Sequence, residues 1–178
     1  MAIPLNDTEL VRLLQVTPSF RDQVILALEC FCSLRHGEVA LLFFGDVLEP
    51  NKTMKPFLPV YKPSMKRSQV CRFQPVPVEV RLLLRNYVLS CCDYNFGMPL
   101  FPSSHSKGEG LSAAHIGRLV RACFDCAGLP HVNPGHSLRA TFWKNFNRST
   151  RLLNDGWSDM IFSRVSHENH GPFLPNIQ

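Results

Sequence analysis

Apolar residues recur at helical spacing in some stretches of the chain and at strand spacing in others, and the alternation sets out its elements. Leu10, Leu13 and Leu14 follow the polar run Asn6-Asp7-Thr8-Glu9 at intervals of three and one, which predicts a capped helix opening after Leu5. Phe20, Val24, Leu28 and Phe31 repeat at intervals of three and four, predicting a second, more apolar helix over residues 20–33 that delivers Arg35 at its end. Residues 39–44 are an apolar run followed by Gly45-Asp46-Val47. From Glu49 to Pro77 the pattern changes. Prolines punctuate it, and the β-prone pieces Phe57–Tyr61 and 70–73 predict two or three short strands joined by basic turns. Helical patterning returns over residues 79–89. After a polar loop at 103–110 it returns again over 113–127, opened by Ser112 and stopped by Gly128. The expected fold is mainly α (α+β), helices with a small antiparallel β-hairpin sheet. There are no internal repeats or low-complexity tracts.

Composition narrows the class. A chain of 178 residues, 45% hydrophobic and 19% charged, suits one globular domain that buries its own core without disulfide or metal staples. Nineteen Lys and Arg against fourteen Asp and Glu give a formal charge of +5, a mild basic bias compatible with a polyanionic partner. Every apolar run falls short of the roughly 18 residues a membrane span needs. Residues 1–6 lack the basic start and long apolar stretch of a signal peptide. No membrane and an intracellular location are therefore expected. Seven cysteines is an odd number, and Cys30, Cys32, Cys91, Cys92, Cys123 and Cys126 lie in apolar periodic segments, which predicts buried reduced thiols. Cys123, Cys126, His131 and His136 also follow the order of a zinc knuckle. Against that reading, both cysteines lie on an amphipathic helix, and His136 belongs to a second motif.

That motif is Pro134-Gly135-His136-Ser137-Leu138-Arg139-Ala140-Thr141-Phe142, and it pairs with the much earlier Ser33-Leu34-Arg35-His36-Gly37-Glu38. A phosphodiester under attack carries charge on two non-bridging oxygens, and a planar guanidinium can grip them with two parallel hydrogen bonds. Two arginines and a histidine make an electrostatic clamp for such a transition state. Together the two segments resemble the arginine boxes of the tyrosine recombinase (phage integrase) family. The resemblance continues beyond them. Residues 39–47 are similar to the family's short helix and "W-x-D" stop, and Val76-Pro77-Val78 to the "v-P-l" that ends its hairpin. The passage from Leu100 to His136 is similar to the one preceding H-x-L-R. Leu152-Leu153-Asn154-Asp155-Gly156 followed by Val165-Ser166-His167 resembles "L-L-x-x-G … L-G-H", with extra residues at 144–149. The likeness runs from residue 5 to near residue 170. It covers the catalytic domain alone, so residues 1–178 are expected to form a single domain, with the N-terminal core-binding domain absent.

The resemblance implies breaking and rejoining of DNA in site-specific recombination or integration, as mobile elements use. Arg35, His136, Arg139 and His167 would activate the phosphate, while Lys62, or second Lys66, would protonate the leaving 5′ oxygen. Trp157, in Gly156-Trp157-Ser158-Asp159, is a rival to His167. The spacing from Gly156 and the ability to donate to phosphate favour the histidine. Glu38 would orient Arg35 or cap its helix. No metal or cofactor is implied, and the partner would be double-stranded DNA held by a homo-oligomer. The nucleophile is the departure, because the family's tyrosine follows the histidine by about nine residues. Here Tyr61, Tyr87 and Tyr94 all precede the second arginine box. The register from His167 reaches Asn176, and that from Trp157 reaches the neighbourhood of Val165. The tyrosine is cut off, lost in a non-catalytic DNA-binding relative, or replaced, which leaves the enzyme assignment open.

Overall fold

The computed structural model describes residues 3–17, 19–65, 67–104, 108–129, 133–152 and 157–168, with side chains omitted at 65, 147–152, 157–159 and 166–168. Helix α1 (Asp7–Gln15) starts where the Asn6 side chain accepts the Glu9 amide at 2.9 Å and the Glu9 carboxylate accepts the Asn6 amide at 2.8 Å. Helix α2 (Phe20–Phe31), capped by Ser19, runs through the middle of the molecule with every residue from 22 to 31 buried. It stops short of the expected residue 33. Cys32 leaves the helix and Ser33 takes a left-handed conformation at φ 53°. That kink separates Arg35 from α2 and makes it the N-cap of a one-turn helix, α3 (His36–Val39).

The expected short helix at 39–44 is displaced in both directions. Residues 40–43 turn, while Gly45-Asp46-Val47, expected as a stop, belongs to a second one-turn helix, α4 (Phe44–Val47). The reason is capping. Glu38 and Asp46 each reach back from the third helical position to the N-cap amide, Arg35 N at 2.8 Å and Phe43 N at 2.7 Å, which fixes both helix starts.

The sheet is one antiparallel hairpin of two strands, β1 (Phe57–Tyr61) and β2 (Val70–Pro75), the latter two residues longer than patterning suggests. Leu58 and Val60 face the core. Arg72 pairs with Val60. The turn is tied to the α3–α4 corner through Arg67, which donates to the Leu41 carbonyl at 2.6 Å and to Asp46 at 2.5 and 3.1 Å. Its guanidinium lies over the rings of Phe43 and Tyr61, 3.9 and 4.2 Å from their centroids.

Helix α5 (Val78–Ser90) packs on α2, and so do α6 (Ala113–Cys126) and α7 (Pro134–Leu152). Gly128, at φ 68°, ends α6 as its sequence position predicts. The extra residues at 144–149 are absorbed into α7, which runs on without a break to Leu152. The last described helix, α8 (Trp157–Glu168), packs on α1. Among the described residues no helix is long and apolar enough to cross a membrane. All seven cysteines are free, but only Cys30, Cys32 and Cys123 are buried. The expectation of buried thiols fails for Cys91 and Cys92, at and just beyond the end of α5, which are half-buried and exposed, and for Cys126, which lies off the face of α6 that buries Ile116, Val120, Cys123 and Phe124. Cys71, on β2, is exposed as well.

Candidate functional site

Helix α7 opens with Pro134, and burial of Ser137 and Leu138 fixes which way it faces. With those two turned inward, His136 and Arg139, three residues apart, lie together on the other side. The Ser33 kink brings Arg35 to the same place from the opposite direction. The three line one open cleft of about 440 Å³, completed by Asn133, Gly135 and the α2–α3 residues Glu29, His36 and Gly37. Two segments far apart in sequence thus supply its cationic and imidazole groups.

Glu38 is the anchor beneath Arg35. It is 3% exposed and accepts from the Arg35 amide, from the Arg35 guanidinium at 3.4 Å and from both terminal nitrogens of Arg72 at 3.0 and 3.2 Å. Burial alone would raise its carboxyl. The Arg72 and Arg35 hydrogen bonds and both guanidinium charges together outweigh that and hold it below the ordinary range. Arg139 moves down from the usual arginine value, first through partial burial and then through the positive charge of Arg35. Crowded guanidiniums of this kind are relieved by an anion. Three arginines face one Glu38 carboxylate, and the hydrogen-bonded Glu29–His36 pair adds at most one negative charge, so the cluster keeps an excess of positive charge.

Arg35, His136 and Arg139 are therefore brought together. Lys62 is not on the cleft wall: it follows β1 with its side chain exposed and its amide bonded to the Gln69 carbonyl at 3.1 Å. Its turn is nonetheless adjacent, since Pro63 packs on Gly37, where an added Cβ would meet the ring at 3.4 Å. His167 and Trp157 belong to the backbone of α8, and their side chains lie outside the described residues, as do Lys66, His131 and Asn176 altogether. Of the zinc-knuckle set, Cys123 is buried, Cys126 is exposed and His136 lines the cleft. Among the described residues no cluster of three or more His, Cys, Asp or Glu could hold a metal ion.

Sequence reasoning missed Arg72 and the Glu29–His36 pair. A signal existed for Glu29, the only charged residue between Val24 and Leu34, since a charge in so apolar a run requires a partner. None signalled Arg72, whose link to Glu38 depends on how the hairpin docks.

The three tyrosines are all committed elsewhere. Tyr61 donates to Asp46 at 2.8 Å, and burial, then that carboxylate, push its phenol up to about 12. Tyr87 is buried and donates to the Leu100 carbonyl at 2.8 Å, and Tyr94 stacks on Phe44 with centroids 4.7 Å apart. None lines the cleft.

No family model matches the sequence, and no curated protein matches it. Among solved structures, the crystal structure of XerA recombinase is similar over 84% of this chain, with a TM-score of 0.65 and 24% identity. The likeness is one of fold. The chain spans about half of that recombinase, covering 52% of its length.

Proposed function

We propose that this domain grips a backbone phosphate of double-stranded DNA and belongs to the machinery of DNA strand breakage and rejoining in site-specific recombination or integration. The observation that carries this reading is the convergence of Arg35 with His136 and Arg139 in one cleft. Arg35 and Arg139 supply paired donors to the non-bridging oxygens, and His136 donates a further hydrogen bond. His167 completes the clamp, and Lys62, on the turn beside Gly37, is the general acid for the leaving 5′ oxygen. Residues 1–178 act as one domain, inside the cell with the DNA, and a homo-oligomer brings two duplexes together. The likeness to a recombinase supports the reading at the level of fold.

A second reading has its own support. With Tyr61, Tyr87 and Tyr94 all bound into the fold, a domain that binds DNA without cutting it fits these residues equally well.

Both readings require phosphate-dominated binding. Anisotropy of a labelled duplex titrated with the chain should show affinity falling with salt, with a log–log slope of about 0.9 per phosphate neutralised, and Arg35→Ala should lower both affinity and slope. Affinity unchanged between low and moderate salt would remove DNA as the partner.

A further inference from the structure

Behind the arginines, the cleft holds a pair that the proposed chemistry does not use. Glu29, 1% exposed on α2, bonds through one carboxylate oxygen to Nδ1 of His36 at 2.5 Å. Its other oxygen, Oε2, is buried without a hydrogen-bond partner, and so is Nε of Arg139. An acceptor and a donor are thus left open among the groups of one cleft. His36 is also built in sterically. A Cβ on Gly135 would fall 2.9 Å from its Nε2, and one on Gly117 would fall 3.3 Å from its ring, so two glycines on two helices form a socket for the imidazole. Nε2 has no hydrogen-bond partner among the described residues, and the ring is 29% exposed where it lines the cleft.

We propose that His36 is a further phosphate-binding residue of this cleft, donating from Nε2 to the anion held by Arg35 and Arg139, and that Glu29 is its positioning residue. The inference rests on the phosphate-binding reading above and adds to it a ligand set. The chemistry follows from the pair's shared proton. If Glu29 is ionised, His36 carries protons on both nitrogens. If Glu29 is protonated, its O–H donates to Nδ1 and the ring keeps its proton on Nε2. Nε2 is a donor in both arrangements, and it stays one until the pair gives up the proton they share. The hydrogen bond to Glu29 raises the imidazole against the opposing effect of burial. The other charged or titratable groups that line the cleft with it are Arg35, at the start of α3, and His136 and Arg139 on α7, while Glu38 and Arg72 act on Arg139. His136 is present in every variant, so the comparison that matters is between variants.

The test is duplex-DNA anisotropy with the full chain at constant ionic strength from pH 5.5 to 8.5, on wild type, His36→Gln, Glu29→Gln and Arg35→Ala, each checked for folding by thermal melt. His36→Gln should weaken binding about tenfold near neutral pH, the scale of one lost charge-assisted hydrogen bond. Glu29→Gln should give a pH profile displaced from that of wild type, because the pair no longer shares a proton that rising pH can remove, and the amide either accepts from Nδ1–H or donates to Nδ1 as the protonated carboxyl does. If His36→Gln does not fold, the Glu29→Gln profile decides. Profiles that overlay wild type while Arg35→Ala loses binding would overturn the role of His36 and leave the cleft's function standing. If Arg35→Ala also binds like wild type, the phosphate-binding reading itself fails.

Discussion

At the scale of single residues, Glu38 shows how the cleft is kept charged without being strained. One buried carboxylate holds Arg35 by its amide and Arg72 by both terminal nitrogens, so the strand residue is as much a part of the site as the motif residue. Arg72→Met should cost about 1–2 kcal/mol, less than the loss of a fully buried partner because Arg72 is partly exposed and Arg35 still bonds to Glu38. The direction with pH follows from the depressed Glu38 carboxyl. Its contribution to stability is complete above the unfolded-state value and fades as the pH falls through the lower folded value. Removing Arg72 raises the folded value toward the unfolded one, so the Glu38 part of the acid limb in a urea-denaturation series against pH should be smaller and should end at higher pH than in wild type. An unmoved acid limb would show that Arg35 alone holds Glu38. The meeting of Arg35, His136 and Arg139 in one cleft was legible in the sequence because the proposed phosphate chemistry asks for those residue types in short motifs. Arg72 was not, because its role comes from a contact 34 residues away that the docked hairpin makes.

At the scale of elements, patterning located α1, α2, α5, α6 and the hairpin to within a few residues, since burial of one face imposes its period on the sequence, but it set out no helix at α7 or α8. It misplaced the corner between α2 and β1, where two capping carboxylates rather than apolar spacing decide the helix starts. That corner also sets where the hairpin rests. Arg67 joins the turn to it by hydrogen bonds to Leu41 and Asp46, a contact to the Tyr61 hydroxyl at 3.2 Å and stacking over Phe43. Arg67→Met keeps most of the apolar stem and removes every one of those polar contacts. A loss of about 2–3 kcal/mol is expected by chemical denaturation, given a charge-assisted network with a cation–π contribution. Amide exchange should localise it, with the Lys62 amide losing protection before those of α2. Uniform loss across the molecule would mean that the hairpin and the helices open as one unit. The packing of Pro63, the residue after Lys62, on Gly37 depends on this tie, so the variant should also disturb any chemistry that needs that lysine.

At the scale of the whole molecule, the proposed phosphate clamp and the nucleophile are separable parts, and the described residues assemble only the cleft for the first. A phenol attacks phosphorus as the phenolate or as it loses its proton to a base, and it must reach the anion in line. Tyr61 spends its hydroxyl on Asp46, where its proton is held to about pH 12, and Tyr87 is buried against Leu100. Tyr94 is stacked on Phe44, away from the cleft wall. Incubated with nicked or suicide duplexes, the 178-residue chain should therefore bind without forming a covalent adduct, as judged by a denaturing gel of labelled DNA. A chain that carries a tyrosine beyond His167 should form one, and Arg139→Ala should then cut its yield rate by about a hundredfold or more, the usual effect of removing one preorganised donor from a charged transition state. An adduct formed by the 178 residues themselves would mean that one of the three tyrosines leaves its present partner to attack. Replacing each with Phe in turn would identify it, and Tyr61, whose hairpin borders the Gly37 edge of the cleft, would be the first to replace.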